Sequence, residues 1–252
     1  MKLIAVGDIH GRDSWKKIAE QNPDFDTFVF IGDYFDNFPP MTCGQILANF
    51  VDILAFKKKH GKKVVLCMGN HDFQYTPMCE GEKYSGYDPL TKLGLDRLGE
   101  WWKQLQPAYQ YEDMLFTHAG LTKTWAHMQG IETNCPRALA TQICGVFEKN
   151  PDAFRFFMGD SSGCGEHAAQ GPFWVRPRAL AEDMWEGITH VVGHTNMKQI
   201  VAVDQGKSKI VFLDAYKSGE YLLVEDGVAC VETVFHSKSE MRRVKEGRLS
   251  TT

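Results

Sequence analysis

The sequence predicts an α/β fold on three observations: short β-rich runs that end in a glycine or a polar residue, helical patterns between them, and a closing region of strand-like runs separated by turn pairs. The first run, residues 2–6, carries Leu3, Ile4, Ala5 and Val6 directly into Gly7 and Asp8, which marks a folded strand too short for a signal peptide. Comparable runs are expected at 27–31, 64–68, 114–117 and 190–192. Residues 13–21, 45–59, 91–105 and 137–149 place apolar side chains three and four apart and predict amphipathic helices. After Gly193 the pattern becomes 199–203, 209–213, 220–224 and 228–234, with Gln205-Gly206, Ser218-Gly219 and Asp226-Gly227 among the turn pairs. An antiparallel meander is the expectation there. Residues 237–252 are basic and polar and read as a solvated helix or frayed tail.

No internal repeat, low-complexity segment or linker divides the 252 residues, so one domain over 1–252 is expected, with the basic tail from about 237. Hydrophobic residues make up 43% of the chain, enough for a continuous core. A net charge of -4 argues against a surface that coats nucleic acid nonspecifically. No apolar run approaches the roughly 20 residues that span a bilayer, so no membrane partner is expected. Cys43, Cys67, Cys79, Cys135, Cys144, Cys164 and Cys230 are odd in number and contain no C-x-x-C pair, which suits a reduced, cytoplasmic protein.

Residues able to bind a metal recur where the predicted strands end: Asp8 and His10, Asp33 and Asp36, Asn70 with His71 and Asp72, His118, and His194. In α/β sheets such ends line the crevice where ligands bind. Each cluster sits beside glycine, in GDIHG, GDYFDN, GNHD, THAG and GHT, where a missing side chain allows close approach of backbone and ligand. The carboxylate, imidazole and amide groups together suit two hard or borderline cations. One such Gly-Asp pair alone would be an ordinary turn; the recurrence carries the signal.

In this set the chain resembles the calcineurin-like metallophosphoesterases, and more closely the bacterial and phage branch of the phosphoprotein phosphatases. The likeness runs from Met1 to roughly Asp214, through Gly7-Asp8-Ile9-His10-Gly11, Gly32-Asp33-Tyr34-Phe35-Asp36, Gly69-Asn70-His71-Asp72, Thr117-His118-Ala119-Gly120 and Gly193-His194-Thr195. The resemblance implies a central β-sandwich of mixed sheets flanked by helices. It further implies that Asp8 and His10 hold a first metal, Asp33 bridges, and Asn70, His118 and His194 hold a second. A bridging carboxylate keeps two cations roughly 3.5 to 4 Å apart, where they polarise a phosphate and lower the pKa of a shared water. Manganese is the foremost candidate, with iron or zinc also suited. His71 is implied as proton donor to the leaving group, oriented by Asp36. Phe173-Trp174-Val175-Arg176 resembles the run that carries a phosphate-binding arginine, which makes Arg176 the candidate clamp and Arg178 the next one.

The chain departs from the branch at Asn37, where many relatives have arginine, and at Asp72, where glutamate is usual. Asn196 stands at the fourth position of the G-H-x-H run common in broader metallophosphoesterases, which draws the chain back toward the phosphoprotein-phosphatase branch. His60 ends a lysine-rich helix, and His127, His167, His190 and His236 match no ligand spacing. Trp101 and Trp102 read as packing residues.

Three functional readings follow. The first is hydrolysis of phosphomonoesters, including phosphoserine or phosphothreonine in a protein. The second is a nucleotide or dinucleoside-polyphosphate hydrolase, in which Tyr75, Tyr84 and Tyr87 could stack a base as readily as contact a peptide. The third is a scaffold that has lost catalysis, against which the complete ligand set and His71 argue.

Overall fold

The computed structural model describes residues 1–36, 41–132, 138–159, 161, 163–215 and 218–234, and the backbone of 242–243 and 246–247. Asn37 and most of the basic tail lie outside the described residues. In chain order the elements are β1 (Lys2–Val6), α1 (Ser14–Gln21), β2 (Thr27–Phe30), α2 (Cys43–His60), β3 (Val64–Leu66), α3 (Asn70–Phe73), α4 (Pro89–Asp96), β4 (Ala108–Tyr111), β5 (Met114–Thr117), α5 (Lys123–Met128), α6 (Leu139–Lys149), α7 (Pro177–Asp183), β6 (Thr189–Val192), β7 (Val201–Asp204), β8 (Lys209–Phe212), β9 (Glu220–Glu225), β10 (Val228–Thr233), β11 (Arg242–Arg243) and β12 (Glu246–Gly247).

These strands make two six-stranded mixed sheets, ordered β11-β10-β9-β1-β2-β3 and β12-β7-β8-β6-β5-β4. In the first, β1, β2 and β3 run parallel. In the second, β5, β6 and β8 do. Strands buried on both faces read as nearly continuous apolar runs, and alternate residues explain why. Leu3, Ala5, Val29, Ile31 and Val65 meet Phe116, Val191 and Val211 in the layer between the sheets. Ile4, Val6, Phe28, Phe30 and Leu66 face the other way and pack with Trp15 and Ile18 of α1 and with Ile46, Phe50 and Ile53 of α2. Outside the second sheet, Val192, Ile210 and Phe212 cluster with Ala179 and Leu180 of α7. The implied helix-flanked β-sandwich is the architecture found. No helix among the described residues is long and apolar enough to cross a membrane.

Helix α2 starts where Thr42 and Gln45 form a capping box and ends at Gly61, whose φ is +62°. The helix expected over 91–105 is instead split. Asp88 caps Pro89–Asp96, Gly99 turns left-handed at φ +67°, and Trp101–Gln104 forms a separate 3-10 turn. The apolar spacing continued across that break because Trp101 still turns inward, onto Phe35 and Phe50. The four C-terminal runs are strands, but they are not one meander. β7 and β8 pair antiparallel in one sheet, while β9 and β10 pair antiparallel in the other, with β9 taking the edge of β1. Turn pairs identify hairpins and carry no information on which sheet a hairpin joins. In the tail, residues 242–243 and 246–247 pair as short strands, where a solvated helix or frayed end was expected.

Where the chain leaves β8 it passes directly over the end of β1. A Cβ on Gly7 would lie 2.3 Å from the carbonyl oxygen of Leu213, whereas one on Gly44 in α2 would meet nothing nearer than 3.9 Å. Gly7→Ala is therefore expected to lower stability by about 1–3 kcal/mol in urea denaturation. Gly44→Ala is expected to be neutral or to raise stability by up to about 1 kcal/mol.

Candidate metal centre

The carboxyl ends of parallel strands from both sheets open onto one site. Asp8 follows β1, Asp33 follows β2, and Asn70 follows β3. From the other sheet, His118 follows β5 and His194 follows β6. His10, Asp33, Asp36 and His194 all have left-handed backbone, with φ of 43°, 52°, 55° and 63°. Each such residue costs on the order of 1 kcal/mol or more and persists only where its surroundings fix it, which is typical of functional loops.

Backbone contacts do the fixing. The amides of Ile9 and His10 donate to the carbonyl of Asp33 at 3.1 and 2.6 Å. The His71 amide donates to Asp33 Oδ1 at 3.0 Å, and the His194 amide to Asp8 Oδ2 at 3.0 Å. Cβ atoms on Gly69 and Gly193 would fall 2.1 and 2.0 Å from the carboxylates of Asp33 and Asp8, so only glycine lets these loops close on them.

The three histidines of the cluster each have one ring nitrogen turned to a backbone carbonyl. His118 Nδ1 donates to Ile31 at 3.2 Å, His10 Nδ1 to Phe35 at 2.9 Å and to Asp36 at 2.5 Å, and His194 Nε2 to Trp174 at 3.2 Å. In the neutral ring this makes the other nitrogen an acceptor, and those acceptors converge. His118 Nε2 lies 3.2 Å from Asp33 Oδ2 and 3.0 Å from Asn70 Oδ1. His194 Nδ1 lies 3.0 Å from the same Asn70 oxygen, and His10 Nε2 lies 3.7 Å from Asp33 Oδ2. Ligand atoms of Asp8, Asp33 and His118 fall within 4.8 Å of one another. Acceptors facing acceptors in a buried space repel unless cations lie among them, so this donor set fits divalent metal.

The electrostatics differ from group to group. Burial holds His10 down to about 4 against the pull of Asp33, and burial with His118 and Arg176 holds His194 well below the ordinary imidazole range. Burial, together with Asp214 and Asp33, pushes Asp8 up. Burial would also raise Asp33, but His118, His71 and His10 outweigh it and hold that carboxyl well below the usual range. For His71, burial lowers the pKa, while Asp33 and Asp36 overcome that and hold it up at about 9. Its Nδ1 lies 2.9 Å from Asp36 Oδ2.

Arg176 borders the cluster. Its Nη1 donates to the His194 carbonyl at 2.9 Å and to Thr195 Oγ1 at 3.3 Å, and its Nε donates to the Cys164 carbonyl. Arg178 does not take part: it is exposed and pairs with Glu182 along α7. Asn196 donates to Asp214 Oδ2 at 3.3 Å. His190 is buried in the core and bonds the Trp185 carbonyl. The three tyrosines considered for base stacking are engaged internally. Tyr75 is 1% exposed and stacks on Tyr87, Lys83 lies over the Tyr87 ring, and Tyr84 meets Trp174 edge-on.

Asp72, grouped by sequence with the residues able to bind a metal, satisfies backbone amides instead. It is fully buried and accepts from three amides: Gly69 at 2.8 Å, Asp33 at 2.7 Å and Tyr34 at 2.7 Å. Burial and Asp33 raise its pKa, and those donors act against the rise. The signal was the acidic residue three positions after Gly69 at a helix start, a capping spacing.

Residues 1–169 match the family model described as calcineurin-like phosphoesterase. Symmetrical bis(5'-nucleosyl)-tetraphosphatases of Salmonella paratyphi B and Salmonella newport are each 29% identical over 170 residues, covering 63% of this chain and 54% of theirs. The chain thus spans about half the length of these curated relatives. Among solved structures, a cold-active protein-tyrosine phosphatase of a psychrophilic Shewanella superposes with a TM-score of 0.64 at 19% identity, over 97% of this chain and 80% of that one. A protein serine/threonine phosphatase from Saccharomyces cerevisiae gives 0.55 at 15% identity, over 96% and 82%. At these identities the likeness is one of fold.

Asp72→Asn is expected to lower stability by about 1–3 kcal/mol, since an amide offers one acceptor oxygen and turns an NH2 toward a buried N–H donor. Urea unfolding checks this. An unchanged midpoint would mean that the Gly69, Asp33 and Tyr34 amides do not depend on this carboxylate.

Proposed function

The chain belongs to the calcineurin-like phosphoesterases, and from that premise we propose that it hydrolyses phosphomonoesters with two divalent cations, phosphoserine and phosphothreonine in proteins being one substrate class. The observation that carries this reading is the convergence of buried acceptors from Asp33, Asn70, His118 and His194 with their histidine tautomers fixed by backbone carbonyls. Asp8 and His10 would hold the first cation, Asn70, His118 and His194 the second, and Asp33 both. Bound there, the cations supply positive charge that polarises the phosphate and acidifies an attacking water.

The remaining work falls to the protein's own side chains. Arg176, anchored through Nη1 and Nε, directs its guanidinium to phosphate oxygens. Asp36 holds Nδ1 of His71 and fixes the ring, so that the proton on Nε2 passes to the leaving oxygen as the phosphorus–oxygen bond breaks. The products are the free alcohol and inorganic phosphate. A second reading, hydrolysis of dinucleoside polyphosphates or nucleotides, is favoured by the sequence likeness to the Salmonella tetraphosphatases. Manganese is the proposed metal, with iron or zinc as alternatives.

Turnover of phosphopeptides against dinucleoside polyphosphates by metal-loaded protein separates the two readings. Preference for the dinucleotide would replace the first with the second, and inactivity toward both would sink each. Asp33→Asn is expected to impair both metal sites together, and metal analysis that finds them fully occupied would remove its bridging role. His71→Asn is expected to slow phosphoserine hydrolysis up to about 100 to 10,000-fold while affecting nitrophenyl phosphate far less, because nitrophenolate leaves without a proton. Equal slowing, with metal content intact, would assign His71 to charge stabilisation of the phosphate.

A further inference from the structure

Asp36 is buried, its backbone is left-handed, and its carboxylate is held by more than His71. Gln74 Nε2 donates to Asp36 Oδ2, and the Tyr75 hydroxyl donates to Asp36 Oδ1. The direction of both bonds is set by the next segment of chain. The Tyr84 amide donates to Gln74 Oε1 at 2.8 Å, which leaves the side-chain NH2 of Gln74 to face Asp36. The Asp88 amide donates to the Tyr75 oxygen at 2.8 Å, so the single phenolic proton points to Asp36. Neither side chain has room to swing away. Gln74 is 3% exposed, and the Tyr75 ring stacks on Tyr87 at 5.0 Å and meets Phe35 edge-on at 5.6 Å. Between the two amides the chain crosses Asp36 at Gly86, where a Cβ would lie 3.0 Å from that of Asp36 and φ is +90°.

We propose that Gln74 and Tyr75 are positioning residues for the Asp36–His71 dyad, and that the amides of Tyr84 and Asp88 set the polarity through which they act. This rests on the reading of His71 as the proton donor. With two donors of fixed direction on separate oxygens, Asp36 cannot rotate about its Cβ–Cγ bond without losing both, so Oδ2 stays in line with His71 Nδ1. The three-centre arrangement orients the imidazole before any substrate arrives, which is the usual function of the group behind a catalytic histidine. A solely structural role would hold the 74–88 segment in place and leave the acid indifferent to these two side chains.

Metal-loaded Tyr75→Phe and Gln74→Ala are compared with Asp36→Asn and His71→Asn on phosphoserine and on nitrophenyl phosphate. Each positioning variant is expected to lose about tenfold in kcat on phosphoserine, the scale of one hydrogen bond to a charged group, with KM and the nitrophenyl rate within about twofold. Adding Tyr75→Phe to Asp36→Asn is expected to cost nothing further. In the unliganded protein, the proton resonance of His71 Nδ1–H, assigned by its loss in His71→Asn, is expected to shift in both positioning variants. Equal loss on the two substrates, an additive double variant, or an unmoved resonance would each overturn the proposal. If Asp36→Asn and His71→Asn themselves lack leaving-group selectivity, the general-acid reading fails first, and the positioning role falls with it. A lowered melting temperature without selectivity would reduce Gln74 and Tyr75 to structural residues.

Discussion

Buried at the carboxyl end of β2, Asp33 touches nearly every loop of the site. Its carbonyl accepts the amides of Ile9 and His10, its own amide donates to Asp72, and its Oδ1 accepts the His71 amide. Only Oδ2 is left toward the cluster, facing His10 and His118 from opposite sheets. A buried carboxylate tolerates ionisation only with compensating donors and positive charge. The His71 amide donates to the Asp33 carboxylate, and the positive charge that His118, His71 and His10 carry when protonated favours its charged form. The same residue therefore organises the loops and turns a charged oxygen into the cluster, so the geometry of one task constrains the other.

Strain is concentrated where this organisation is tightest. His10, Asp33, Asp36 and His194 are left-handed, while Glu112 and Asp226, the other non-glycine residues with positive φ among the described residues, lie in hairpin turns. The neighbouring glycines serve a different need. Gly69 and Gly193 give up a side chain so that a carboxylate can occupy the space, and Gly32, at φ +113°, passes within 2.6 Å of the Gly69 amide at the point where a Cβ would sit. Rigid sheet on both sides is what allows the strained loops to persist, because relaxing one would displace strands buried on both faces.

The sandwich also explains how residues more than a hundred positions apart share one site. Parallel β1, β2 and β3 deliver Asp8, Asp33 and Asn70, and parallel β5 and β6 deliver His118 and His194. The sheets hold these ends together through the apolar layer of Leu3, Val29 and Ile31 against Phe116 and Val191. Hydrophobic contact of this kind is non-directional, and the directional loop contacts are what select the geometry.

By itself the sequence determined the types of most elements and singled out the polar residues that converge at the strand ends. Both are written locally: alternation and helical spacing extend over a few residues, and each candidate residue sits beside its glycine at a strand end. The short strand at Ala108–Tyr111 and the helices at Asn70–Phe73, Lys123–Met128 and Pro177–Asp183 went unread, being too brief for a periodic signal. Only the tertiary structure decided that β9 joins β1 and leaves β8, that Gly99 cuts a helix, and that Arg176 borders the site while Arg178 lies along α7. It alone gave Asp72 its three amides and Gln74 and Tyr75 their carboxylate. These are contacts between segments whose separation in sequence carries no periodicity, so they are fixed by which surfaces the packed sheets bring into hydrogen-bonding range.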